Sequence, residues 1–208
     1  LILQEFKDGC ECPLCKIEKI VNENILFQFL NDAVMEDDTR ARVNKLGFCA
    51  EHFDMLFARQ NKLSVALQAI TRTGTLKKHV SAKDAKSAKK AAETLGKLTG
   101  TCIICDLVED HMVRYAKTVA QMYAKEPPFR AQLLSTRGFC MKHYASLLEH
   151  ASCAGGRAKD YLADITKLQS ENLERMMNEL QWFCDKHDYR NREKPLGSSA
   201  DALPRIRV

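Results

Sequence analysis

Two cysteine–histidine blocks occur twice along this chain of 208 residues, in the same order and at nearly the same spacing. Residues 12–15 read CPLC and residues 102–105 read CIIC, an offset of 90. Residues 47–53 read GFCAEHF and residues 138–144 read GFCMKHY, an offset of 91 for the repeated GFCxxH. MEDDTR at 35–40 matches KEPPFR at 125–130, aligning Glu36 with Glu126 and Arg40 with Arg130, so the extra residue of the second copy lies between Arg130 and Gly138. Such a repeat makes the fold a doubled unit before any secondary structure is assigned.

The residue types of the repeat are metal ligands. A Cys-x-x-Cys turn brings two sulfurs to one ion, and on a helix a Cys and a His three apart share a face. Read copy by copy, the blocks predict two closed four-ligand sites, Cys12, Cys15, Cys49 and His52 in the first and Cys102, Cys105, Cys140 and His143 in the second. Four protein ligands leave no open position, so the expected role is structural zinc, two ions per chain. Three thiolates and a neutral imidazole leave a net charge of −1 around Zn²⁺. Helix N-termini, with Lys16, Arg137 and Lys142 nearby, would offset it. Cys-x-x-Cys thiolates also suit iron–sulfur clusters, which are the alternative cofactor.

Between the blocks the apolar spacing is helical: Ile17, Ile20, Val21, Ile25, Phe29 and Val34 in the first copy, Leu107, Val108, Met112, Tyr115, Val119 and Tyr123 in the second. Gly47 and Gly138 suit left-handed turns closing the short helices before them. Longer helices are expected over 62–80 and 156–188, and no alternating strand pattern is found. The fold class is therefore all-α: two tandem, pseudo-symmetric, metal-clamped helical repeats at 1–81 and 99–188. A basic linker helix at 82–98 joins them, the second repeat ends in a long C-terminal helix, and an irregular surface tail follows at 189–208.

Nine cysteines, an odd number, in a chain without a recognisable secretory signal argue against a disulfide framework and for a cytoplasmic location. No apolar run is long enough to span a membrane. Cys10 reads as a free, exposed thiol and Cys153 as a buried core cysteine on the second-copy helix. Cys184 and His187 repeat the Cys-x-x-His spacing without a Cys-x-x-Cys to complete it, and a third metal site is not expected. Glu36 with Arg40, and Glu126 with Arg130, read as ion pairs or caps fixing the turn back to the metal. The stretch 72–97 holds eight Lys or Arg against two acids. It could meet phosphate backbones, but it lacks aromatics for base stacking and reads first as a solvated helix.

The blocks CPLCKIE, AVMEDDTR, GFCAEHF, CIICD and GFCMKHY, with the tail DYRNREKPLG and DALPR, resemble an uncharacterised bacterial family, a domain of unknown function of the clostridial type. The resemblance implies a cytoplasmic bacterial protein with repeated metal-ligand motifs, brings no activity with it, and does not extend to Cys184 and His187. No nucleophile elbow, phosphate loop or dinucleotide fingerprint is present, so no catalytic residues are assigned. The function expected is a non-enzymatic binding or regulatory module that meets a protein partner through exposed helical faces or the tail. An iron–sulfur or thiol redox sensor and a nucleic-acid-binding regulator are the alternatives.

Overall fold

The computed structural model describes residues 1–31 and 36–206. Val34 of the expected helix face and the last two tail residues lie outside them. Among the described residues there are eleven α-helices and no strand. They are α1 (Ile2–Glu5), α2 (Pro13–Leu30), α3 (Asp37–Leu46), α4 (Ala50–Phe57), α5 (Lys62–Lys77), α6 (Ala85–Thr99), α7 (Ile103–Lys125), α8 (Pro127–Leu134), α9 (Met141–Glu149), α10 (Ala158–Asp185) and α11 (Ala202–Arg205).

The chain forms two compact units, and they are not the two halves of the sequence. One comprises residues 1–18 with 112–208, the other residues 19–111. Helices α2 and α7 each begin in one unit and end in the other. Both start at a Cys-x-x-Cys: Cys12 directly precedes Pro13, whose fixed φ and missing N–H suit a first helical position, and Cys102 directly precedes Ile103.

In the unit of residues 1–18 and 112–208, the core is aromatic. Phe6 lies 5.2 Å from Phe129 and 6.3 Å from Phe139 between ring centroids, and Tyr123 meets Tyr161 edge-on at 5.0 Å. Ile17, Val119, Leu133, Leu147 and Ile165 are fully buried with them. The Tyr123 hydroxyl donates to Asp164 Oδ2 at 2.6 Å, and Arg130 donates to the same oxygen through Nη2 at 2.8 Å and Nε at 3.2 Å. Arg130 therefore pairs with Asp164 on α10. Glu126 instead caps α8, its backbone carbonyl accepting from the Arg130 N–H at 3.1 Å. In the first copy Thr39 donates to Glu36 at 2.9 Å, and Arg40 is exposed. Among the described residues, neither Glu36 with Arg40 nor Glu126 with Arg130 forms an ion pair. The tail is anchored rather than loose: Arg205 of α11 contacts Glu179 at 2.7 Å and Glu11 at 3.0 Å, and Ser199 and Ala202 are buried.

In the unit of residues 19–111, Val21, Leu26, Phe29, Val43, Leu56, Val65 and Ile104 form the core, with Phe29 edge-on to Phe48 at 5.8 Å. α6 is solvated as expected, with no buried residue, and Asp84 and Ser87 close a capping box at its start. Arg72 is taken out of the basic stretch. It donates to the Asn44 and Lys45 carbonyls at 2.7 and 3.0 Å and to the Leu98 carbonyl, so it caps α3 and ties it to the end of α6.

Tyr123→Phe should lower stability by about 1–2 kcal/mol, because one hydrogen bond to a charged acceptor is lost at a buried site. Urea unfolding should show a lower midpoint with an unchanged slope. An unchanged midpoint would mean that the Asp164 contact contributes nothing to folding.

Candidate metal centres

All eight ligand-type residues of the repeat fall into two clusters, and the partition crosses the repeat. Cys12 and Cys15 of the first copy sit with Cys140 and His143 of the second. Cys102 and Cys105 of the second sit with Cys49 and His52 of the first. The copy-by-copy pairing expected from the sequence is thus corrected: each Cys-x-x-Cys meets the other copy's Cys-x-x-His. Each cluster lies within one compact unit.

Helix starts place the side chains. Cys49 and Cys140 are the N-cap residues of α4 and α9, in extended conformation, and His52 and His143 follow in the first turn. Each cluster therefore sits at two helix N-termini, α2 and α9 in one, α7 and α4 in the other. Each terminus presents roughly half a positive charge to the sulfurs. Gly47 caps α3 with φ +70°, as expected, and a Cβ there would lie 2.7 Å from Arg72 Nε. Gly138 does not close α8, which ends at Leu134. It turns the chain between Arg137 and Phe139 at φ +131°, where a Cβ would lie 2.7 Å from Asn172 Nδ2. Gln169 then holds the Phe139 backbone at both ends, accepting from its N–H and donating to its carbonyl, each at 3.0 Å.

The distances fit one ion per cluster. Four donors around a tetrahedral ion, with metal–sulfur about 2.3 Å and metal–nitrogen about 2.0–2.1 Å, lie about 3.4–3.8 Å apart. In the first cluster the Nδ1 of His143 lies 3.6, 3.4 and 3.2 Å from the sulfurs of Cys12, Cys15 and Cys140, and Cys15 lies 3.5 Å from Cys140. In the second, His52 Nδ1 lies 3.2, 3.4 and 3.3 Å from Cys49, Cys102 and Cys105, and Cys49 lies 3.8 Å from Cys105. All four donor atoms of each cluster lie within 4.8 Å of one another.

The outer partners orient both imidazoles. His52 donates from Nε2 to Asn22 Oδ1 at 3.0 Å, which leaves Nδ1 unprotonated toward the three sulfurs. His143 Nε2 is buried without a hydrogen bond, and its nearest carboxylate oxygen is Glu18 Oε2 at 3.5 Å. Glu18 in turn takes Lys142 at 2.6 Å, and Arg137 pairs with Glu11 at 2.8 Å. Two of the three cations expected to offset the metal charge are thus paired with carboxylates.

Without a cation the donors strain against one another electrostatically. Cys12 is pushed far up by thiol contacts with Cys140 and Cys15 and by burial, while the same contacts hold Cys140 well below the ordinary thiol range. Burial, with the neighbouring Cys102 and Cys49, pushes Cys105 up to about 12. Burial also opposes charge on His143, but the sulfurs of Cys140 and Cys15 outweigh it and raise the group to about 9. Burial lowers His52. A metal ion would let three thiolates and a neutral imidazole share so small a space, and the two clusters could hold one each.

Asn22, Glu18 and Gln169 were not legible as site residues. Glu18 follows Cys15 at a helical interval of three, a faint signal; Asn22 and Gln169 have none. Of the three cysteines outside the clusters, Cys10 and Cys153 differ from expectation. Cys10 is buried, its carbonyl accepting from Arg137 N–H at 2.8 Å, and Cys153 is only half-buried, in the turn after α9. Cys184 is exposed, and His187 stacks edge-on against Phe183 at 5.5 Å. Neither Cys184 nor His187 joins a ligand cluster among the described residues.

The raised His143 gives the metal-free protein a testable pH dependence. A folded value near 9 against an ordinary 6.5 contributes stability that is fully present below about pH 6.5 and lost as pH rises through about 9. The thermal midpoint of metal-free, reduced protein minus that of His143→Gln should shrink over that window, because the low-lying Cys140, whose contribution to stability runs the opposite way with pH, is common to both proteins. A difference that grows with pH would contradict the assignment.

No curated protein and no solved structure matches the chain. A family model described as "Family of unknown function (DUF6062)" matches residues 2–207, nearly the whole sequence, and the chain belongs to that family.

Proposed function

We propose that this protein binds two zinc ions, one in each crossed cluster, and that the ions are structural supports of a non-enzymatic binding or regulatory module. The observation that carries this reading is the gathering of four donor atoms within 4.8 Å, twice, with three sulfurs and one imidazole each time. Such a donor set satisfies zinc fully and leaves no position for a substrate or a water nucleophile. The spacing favours a single ion over an iron–sulfur cluster, whose ligands are spread over several irons. A mononuclear iron site would use the same four atoms, and colour separates it from zinc.

The structural role follows from what each ion would join. In one unit it would fasten the start of α2 to the start of α9; in the other, the start of α7 to the start of α4. Structural zinc contributes on the order of 10 kcal/mol in small metal-folded peptides, and the stabilisation here is of the same kind.

Elemental analysis of native protein should give two zinc per chain and no absorbance from thiolate–iron charge transfer. Stripping with a strong chelator should lower the thermal midpoint by tens of degrees, and readdition of zinc should restore it. Helical circular dichroism and melting that are unchanged after complete metal removal would show that the ions, if bound, are not structural.

A further inference from the structure

Beside the Cys12–Cys15–Cys140–His143 cluster lies a cleft of about 620 Å³, within the ~300–1,000 Å³ of small-molecule sites. Its wall is apolar, formed by Phe139, Met141, Leu173, Met176, Met177 and Ile206. Around it, apolar side chains stand in solvent: Leu173 is 38 % exposed and Met177 70 %. Three methionines on one wall make a surface that adapts to the shape of an apolar guest.

The backbone behind Phe139 and the rim are held before any guest arrives. The Phe139 backbone is held at both ends by Gln169. Glu11 on the rim accepts from Arg137, Arg175 and Arg205 at 2.8, 2.6 and 3.0 Å. Arg205 continues to Glu179 and so holds the segment carrying Ile206 over the cleft. These contacts also consume the polar groups of the rim, Glu11 and Arg205 alike. Lys16 is the exception. It lines the cleft, is exposed, and makes no ion pair among the described residues.

We propose that this cleft binds an elongated apolar molecule carrying a single carboxylate, with the chain against the methionine wall and the carboxylate on Lys16. The lining selects the apolar body, and Lys16 selects the head group. Apolar burial supplies most of the affinity, and the charge contact supplies the preference for an acid over an alcohol of the same length. The assignment does not rest on which metal fills the cluster.

Calorimetric titration of the metal-loaded full-length protein with dodecanoate below its critical micelle concentration, and with dodecanol within its aqueous solubility, tests it. Dodecanoate should bind once per chain and more tightly than dodecanol. Lys16→Gln, an exposed change, should weaken dodecanoate about two- to fivefold and leave dodecanol unchanged. Leu173→Asp should abolish binding of both while metal content and helical circular dichroism stay at the native level. Absence of saturable dodecanoate binding would overturn the proposal, as would binding that neither substitution alters. An equal loss of acid and alcohol in Lys16→Gln would remove the carboxylate part of it.

Discussion

The structure depends on an exchange of ligands between the two copies of the repeat. Cys15 lies 3.4 Å from the Nδ1 of a histidine 128 residues further along, while the histidine of its own copy lies with Cys102 and Cys105. The first eighteen residues are thereby part of one compact unit with the C-terminal half of the chain. If each cluster holds an ion, neither unit can be completed from one copy alone. Loop closure over such a separation is unfavourable for an unfolded chain, and a metal bond is a direct way to offset it.

Each copy pairs a long helix with a short one. At 1.5 Å per residue, α2 is about 27 Å long and α3 about 15 Å, and α7 is about 34 Å long and α8 about 12 Å. The second block of each copy lies with the other copy's Cys-x-x-Cys and not with its own. The first-copy block settles instead beside the far part of its long helix: His52 reaches Asn22, and Phe48 meets Phe29.

Much of this was legible in the sequence. The repeat, the helical spacing and the eight sulfur and imidazole residues follow from residue types and intervals alone. The partition was not, because a Cys-x-x-Cys of either copy satisfies a Cys-x-x-His of either copy, and ligand chemistry cannot tell them apart. How the helices pack decides it, and residue spacing within one copy does not encode that packing. Arg130 misled for a related reason. Its spacing from Glu126 is that of a helix ion pair, but Glu126 stands outside α8 as its N-cap, and α10 brings Asp164 closer. The cleft beside the first cluster was invisible because residues 9–16, 139–141, 169–177 and 204–206 meet there.

Zinc retention in a pair of double variants tests the crossed arrangement most directly. Cys15→Ser with Cys140→Ser removes two ligands from one cluster and none from the other. After a chelator challenge that the native protein survives, that variant should keep one zinc per chain. Cys15→Ser with Cys49→Ser damages both clusters and should keep none. The reverse result, no zinc in the first variant and one in the second, would show that each copy closes its own site and would contradict the account.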